Sequence, residues 1–408
     1  MIMIIIINEK DRWNLMAKYF FSSSFLLFLG NWIGQVGLNW FVLTTYHNAV
    51  YLGLVNFCRL IPILLLSVWA GSIADKYDKG LLLRITISSS FIITALLCLL
   101  TYSLNTIPIF IILLYATFRG ILSAVETPVR QAVLPDLSSK ISTTQAVSFH
   151  SFIINICRSI GPAIAGGLIA VYHTPTTFLA QAVCYFIAAV LCIPIHFEVI
   201  LSQKEGKALP LKVVLNYFKS NLEGSQIFIT SIIIMATGFS YTTVLPVLTN
   251  HIFPGQSQVF GIAMTFCAIG GIVATIVLPS ILKHLSTVKM YYLSSILFGM
   301  ALLGIIIHHL VVMFICITLI GLFSQWARTT NRVYFQHSVK DCDRGKVLSI
   351  VMMDRGMIPL GSLIMSFFAD MFGILTTFTI MGISTISISI IFYIIQRISN
   401  MEESNNES

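Results

Sequence analysis

Apolar runs recur about every thirty residues along the whole chain, and each is long enough to cross a hydrocarbon core, which takes about 20 residues. Twelve follow one another: 18–46, 49–73, 80–103, 107–127, 143–172, 174–196, 225–250, 258–282, 289–307, 310–333, 346–371 and 374–396. Backbone inside lipid must satisfy its own hydrogen bonds, so successive runs of this length read as helices. Only 10% of the residues are charged while 57% are hydrophobic, too little charge to coat a soluble chain of 408 residues. The expectation is an all-α membrane protein with twelve transmembrane helices. A polar stretch, 197–224, carries Lys204, Lys207, Lys212 and Lys219 and separates the sixth run from the seventh. Within it, 211–221 is amphipathic and is expected to lie on the membrane surface. The parts are then a tail, 1–17; a six-helix bundle, 18–196; a central loop, 197–224; a second bundle, 225–396; and a tail, 397–408.

Charge orients the chain. Eighteen of the 24 Lys and Arg fall on one alternating set of connections and helix ends. The opposite connections carry histidines instead: His47, His173, His251, His308 and His309. By the positive-inside rule both termini lie in the cytoplasm and the chain is a multi-pass protein of the cytoplasmic membrane. The net charge of +8 is thereby explained without nucleic acid. The opening MIMIIII is too short to span, lacks a basic segment before it and has no small-residue cleavage site, so it reads as a cytoplasmic tail. Eight cysteines show no CxxC spacing and read as apolar packing residues.

The other six basic residues are all arginines inside helices: Arg59, Arg119, Arg158, Arg328, Arg332 and Arg355. The first three fall near mid-membrane, and Arg328 and Arg332 towards the cytoplasmic end. Such charges are costly in lipid and face a bundle interior or an aqueous cavity. Arg158 sits in 155–167, NICRSIGPAIAGG, where Pro162 removes a backbone donor and Gly161, Gly166 and Gly167 allow close helix approach. The halves echo each other at about 200 residues. Arg158 and Pro162 recur as Arg355 and Pro359, Thr176-Thr177-Phe178 as Thr376-Thr377-Phe378, and Thr127 with Arg130 as Thr329 with Arg332. This order suggests a duplicated six-helix unit, the parallel repeat expected of two bundles rocking about a midplane site.

Between the second and third runs the sequence reads GSIADKYDKG, with an acid, Asp75, placed to latch a neighbouring helix or a facing arginine. Here the chain resembles the major facilitator superfamily, whose pattern G-x-x-x-D-R/K-x-G-R/K is met by Gly71, Asp75, Lys76 and Lys79. Asp78 stands in place of the second glycine, a departure associated with the branch of macrolide-type and siderophore exporters. Gly161-Pro162 followed by Gly166-Gly167 is similar to the helix-five signature of the superfamily's exporters. Glu126-Thr127-Pro128, Leu134-Pro135-Asp136, Arg344-Gly345-Lys346-Val347 and Pro359 to Gly373 add to the likeness. The resemblance implies the major facilitator fold, export, and a proton-coupled antiporter. Gating falls to Asp75, Lys76, Lys79, Arg130, Gly161 and Pro162.

Asn31, Gln35 and Asn39 share a face of the first helix and are expected to meet a cavity; the neighbouring Gly30 and Gly34 offer a tight helix contact as the alternative. On the fourth helix Tyr115, Arg119, Ser123 and Glu126 line up along one face. Asp354 and Arg355 are adjacent and point about 100° apart, so each needs a partner elsewhere. Glu126 and Asp354 are the candidate proton carriers, because a carboxyl in such surroundings can bind and release a proton in the working range; a static bridge from Asp354 to Arg328 is the alternative. Six arginines against two buried acids favour an anionic, hydrophilic small molecule as cargo, such as a carboxylate-rich metal chelator or siderophore. Arg59, Arg119 and Arg158 would bind its carboxylates, with Asn31, Gln35 and Asn39 orienting it. Macrolide-type drug efflux is the second reading. No GxSxG, HExxH or phosphate-loop pattern is present, so an enzyme or a self-powered ATP pump is not expected. No cofactor or resident metal is expected, and the working unit is expected to be a monomer. A receptor or scaffold role lacks a large extramembrane segment.

Overall fold

The computed structural model describes residues 9–104, 106–135, 137, 143–195, 211–339 and 344–406, without the side chains of 9–14, 67–76, 143–144, 211–213, 344–346, 349, 355 and 399–406. The helices are α1 (Glu9–Tyr46), α2 (Ala49–Lys76), α3 (Lys79–Ser103), α4 (Ile109–Val133), α5 (Thr143–Tyr172), α6 (Pro175–Cys192), α7 (Leu211–Ser220), α8 (Leu222–Thr237), α9 (Tyr241–Ile252), α10 (Ser257–Ile281), α11 (Thr287–Gly304), α12 (Leu310–Ser338), α13 (Arg344–Val351), α14 (Met357–Phe372) and α15 (Ile374–Asn406). Eleven spans among the described residues are long and apolar enough to cross a membrane. Contacts divide the chain into two compact units: unit 1 is Met1–Thr45 with Cys58–Gly206, and unit 2 is Tyr46–Phe57 with Lys207–Ser408.

In unit 1, α3 packs on α4 and α6. Asp78 starts α3 by accepting from the amides of Gly80 and Leu81, both at 3.0 Å, so the residue that departs from the family pattern serves as a helix cap. The buried hydroxyls of α3 turn back onto their own helix: Thr86 donates to the Leu82 carbonyl at 2.8 Å and Ser90 to that of Thr86 at 2.7 Å. That leaves Ile92, Leu96 and Leu99 exposed along one face, a stripe suited to lipid contact. On α1, Gly30, Gly34 and Gly37 lie against Cys184, Gln181 and Thr177 of α6. The glycine stripe therefore makes the tight helix contact, while Asn31 and Gln35, on the adjoining face, stay half-buried.

Unit 2 differs from the expectation in several places. The seventh run is not one helix. Phe239 donates to the Ile234 carbonyl five residues back, and Tyr241 and Thr243 then bond only three back, so the helix widens, tightens and re-forms as α9. The eleventh run is also broken, by a 3-10 turn at Met352–Gly356 between α13 and α14; α14 is left with 16 residues. Finally, α7 does not simply lie at a surface. Val214 is buried, Phe218 stacks on Phe228 with centroids 4.9 Å apart, and the Tyr217 and Ser338 hydroxyls share a hydrogen bond of 2.6 Å. Val214 and Phe218 thus pack on protein, while Leu215 of the same helix stays exposed. Residues 397–406, expected as a tail, continue α15. Tyr46–Phe57 groups with unit 2, where the Ala49 amide donates to the Asp370 carboxylate at 3.1 Å.

Helices α10 and α12 cross backbone to backbone. A methyl at Gly321 would strike the Cys267 main chain, and one at Gly270 that of Thr318 and Leu322. Gly321→Ala is expected to cost ~1–3 kcal/mol through overpacking. Gly167→Ala, where nothing lies within 4 Å, should be neutral or slightly stabilising. Thermal melting of the detergent-purified variants checks the contrast.

Candidate functional site

The interior of unit 1 holds a continuous polar chain carried by α4 and α6. Residues 115, 119, 123, 126 and 130 recur at helical spacing along α4, and Gln181 and Tyr185 face them one turn apart on α6. The Tyr115 hydroxyl donates to Gln181 Oε1 at 3.3 Å, and Gln181 Nε2 donates to the Tyr185 oxygen at 2.9 Å. Arg119 directs Nε and Nη2 to the same phenol oxygen, at 3.1 and 2.8 Å, and Nη1 to Ser123 Oγ at 2.9 Å. Its Nη1 is also 3.9 Å from Glu126 Oε2. At 4% exposure Arg119 is tied down on every nitrogen.

Glu126 belongs more closely to Arg130, whose Nε donates to Oε1 at 3.1 Å. This corrects the expected end of the fourth helix at 127. The helix passes through Pro128 to Val133, placing Glu126 and Arg130 one turn apart. Arg130 is 1% exposed, and its other nitrogens donate to Ser24 and Ser23 of α1 at 2.6 and 3.5 Å. It is an interior residue of unit 1, not part of a loop. Ser23 in turn donates to the Ala188 carbonyl of α6 at 3.0 Å.

The remaining arginines divide by access. Arg59, half-buried on α2, lies where its charge and that of Arg119 act on each other. The missing side chain of Gly120 lets the Arg59 main chain press against α4. Arg158 is half-buried on α5. One turn on, Gly161 sits against Trp32, where a Cβ would lie 2.6 Å from the ring-bearing carbon, and α5 continues through Pro162. Asn39 is buried. Lys79 donates to the Ala132 carbonyl at 3.0 Å, a cation at the end of α4. The side chains of Asp75 and Lys76 lie outside the described residues.

In unit 2 the helix break places Asp354 at a junction. Its Oδ2 accepts from Ser231 of α8 at 2.6 Å and from Asn331 of α12 at 3.3 Å, and Asn331 also donates to Ser231 at 2.9 Å. Asp354 is 5% exposed, and Arg332 and Arg328 act on it electrostatically. Arg328 itself donates to Gln325 at 2.8 Å and lies over the Phe239 ring at 5.0 Å. The Arg355 side chain lies outside the described residues. At the far end of α12, Tyr334 donates to Glu223 at 3.0 Å, and Gln396 bonds the same carboxylate. Among the described residues no group of three or more His, Cys, Asp or Glu is arranged to hold a metal.

A groove of about 920 Å³ runs between α1 and α5 in unit 1. Phe21, Phe25, Phe149, Phe152 and Ile156 line it, so it suits an acyl chain better than a charged cargo. Sequence reasoning missed Tyr185, Gln181, Ser231 and Asn331. Each is a polar residue inside an apolar run, and that is the signal that marks them.

A family model described as transmembrane secretion effector matches residues 16–408. A relative from Staphylococcus aureus (strain NCTC 8325 / PS 47), the staphyloferrin A transporter, is 75% identical over 394 residues, covering 96% of this chain and 99% of the relative. Macrolide efflux protein A of Streptococcus pyogenes is 19% identical over 407 residues, covering 97% of this chain and 99% of that one. Among solved structures, the nucleoside transporter NupG superposes with a TM-score of 0.70 at 17% identity, covering 93% of this chain and 98% of that one. The expected resemblance to the major facilitator superfamily, and its fold, are borne out.

Proposed function

This chain belongs to the transmembrane secretion effector family, with the fold of the major facilitator transporters, and on that footing we propose that it exports an anionic, carboxylate-bearing metal chelator in exchange for protons. The charge balance inside unit 1 carries the cargo assignment. Arg59, Arg119 and Arg130 meet one buried carboxylate among the described residues, Glu126, and Arg130 claims it. The surplus positive charge favours an anion in the vicinity of Arg59 and Arg119. The 75% identity to a staphyloferrin A transporter supports a siderophore as that anion. The likeness to a macrolide efflux protein is far more distant.

Arg59 and Arg158, half-buried arginines within the apolar runs of unit 1, would grip cargo carboxylates in bidentate fashion. Arg119, fixed by Tyr185, would contribute field more than direct contact. Asn31 and Gln35 would orient the cargo, with Asn39 behind them. Glu126 and Asp354 would carry protons, while Asp75, Lys76 and the Gly161–Pro162 crossing would gate. The protein would work as a monomer in the cytoplasmic membrane with both termini inside.

The test is mass spectrometry of medium and cell contents, with and without the protein, under iron limitation. A carboxylate-bearing chelator retained inside and depleted outside is the expected result. An unchanged anion profile together with raised macrolide sensitivity would overturn it in favour of drug efflux.

A further inference from the structure

Asp354 takes up and gives back a proton in the exchange proposed above, while the two side chains bonded to it have no assigned part. The three are buried and come from different elements: Asp354 from the 3-10 turn, Ser231 from α8 and Asn331 from α12. The Ser231 hydroxyl donates to Asp354 Oδ2 at 2.6 Å. Asn331 Nδ2 donates to the same oxygen at 3.3 Å and to Ser231 Oγ at 2.9 Å. Every bond in this triangle runs towards the carboxylate. The other groups that act on the cluster are Arg332 and Arg328 of α12 and Tyr291 of α11, whose hydroxyl donates to the Ile227 carbonyl at 3.4 Å. Helix α14 carries one ionisable residue, Asp370, at its far end. The side chains of Arg344, Lys346 and Arg355 lie outside the described residues.

The asparagine amide shows which form of the acid this cluster fits. Asn331 is 2% exposed, and its Oδ1 has no hydrogen-bond partner among the described residues. An unpaired buried acceptor is unfavourable, yet the amide is held with its nitrogen in the cluster and its oxygen outside. A carboxylate can only accept, so two donors suit it. A protonated Oδ2 would itself donate and would meet two groups already donating towards it. Serine can reverse by rotating its hydroxyl, but the amide must turn over. Bonds to a charged acceptor are roughly twice as strong as neutral ones, so losing either donor penalises the carboxylate more than the acid.

We infer that Ser231 and Asn331 are positioning residues that hold Asp354 in its proton-free form and so set the pH at which it loads. This rests on the reading of Asp354 as a proton carrier. Neither residue takes the proton. Loading forms one O–H bond on Asp354, against both donors and the field of Arg332 and Arg328, and release restores the triangle. A carboxyl held out of water tends to keep its proton, and a carrier that cannot empty is stalled. The two donors oppose that outcome.

The test follows the carboxyl infrared band of the full chain in proteoliposomes through a pH titration, using the band that Asp354→Asn removes. Ser231→Ala and Asn331→Leu are each expected to move its midpoint up by about one pH unit, ten-fold in proton concentration. The pH profile of gradient-driven export of staphyloferrin A should move with it, while Ser231→Thr, which keeps the hydroxyl, titrates as the parent does. A merely structural role would lower the melting temperature and leave the midpoint in place, and a midpoint that stays or falls overturns the assignment of that residue. Asp354→Asn separates the two claims. If it removes no band or keeps gradient-driven transport, the reading of Asp354 as carrier fails. If it loses gradient drive while both variants titrate as the parent does, only the positioning role fails. Should Ser231→Ala and Asn331→Leu not fold, Ser231→Cys, a weaker donor of similar size, takes their place with the same two outcomes.

Discussion

Arg130→Met is expected to destabilise the protein by ~3–5 kcal/mol, because it leaves Glu126 buried without its counter-charge. Glu126 is 4% exposed, and its nearest other cation, Arg119, is 3.9 Å away and already bonded to Tyr185 and Ser123. The double variant Glu126→Gln/Arg130→Met should recover most of the loss. Replacing both members of a buried pair by groups of similar shape removes the unpaired charge and part of the desolvation cost that the pair bore. Thermal melting of the four proteins in one detergent closes the cycle. A double variant as unstable as Arg130→Met would show that the bonds to Ser24 and Ser23 and the contact with Phe20 hold unit 1 together, and that the charge pairing is secondary.

That pair also shows what the sequence could and could not convey. The apolar runs marked most spans to within a few residues, since length and hydropathy are what a bilayer selects. The fourth run was bounded at 127, yet α4 continues through Pro128 to Val133, and this moves Arg130 from a connection into the interior. Arg158 and Pro162 have the same spacing as Arg355 and Pro359, yet the first pair lies in one continuous helix, while Arg355 falls in a 3-10 turn and Pro359 in the first turn of α14. The difference lies in partners distant in sequence. Asp354 is drawn to Ser231 and Asn331, 123 and 23 residues away, and periodicity within one run carries no trace of such contacts. The acid–arginine face of α4 was legible because helical spacing alone aligns it. The α6 side of that network was not, because two polar residues in an apolar run are as readily explained by helix packing. Asn31 and Gln35 remained ambiguous until the glycine stripe took the α6 contact and left the amides on the next face.

Arg59→Ala is expected to weaken cargo binding and export by about 10–100-fold, the loss for one charge-assisted bidentate contact of ~1.5–3 kcal/mol. Arg59→Lys should recover only part, since an ammonium restores the charge but not the planar fork. Stability and transport should separate in this series. Arg59 and Arg119 repel each other across the same interior, so removing one charge relieves a strain that works against any loss of melting temperature. Cargo binding has the opposite dependence, because the pair of like charges creates the field that draws an anion in. Uptake of labelled staphyloferrin A into proteoliposomes, read beside the melting curves, tests both signs at once. A fall in melting as large as the fall in transport would make Arg59 a packing residue. Unchanged transport with an unchanged fold would shift the carboxylate contact to Arg158 on α5. In that case Arg158→Ala should show the loss instead, because it is the other mid-helix arginine of unit 1 that is half-buried and not held by Tyr185.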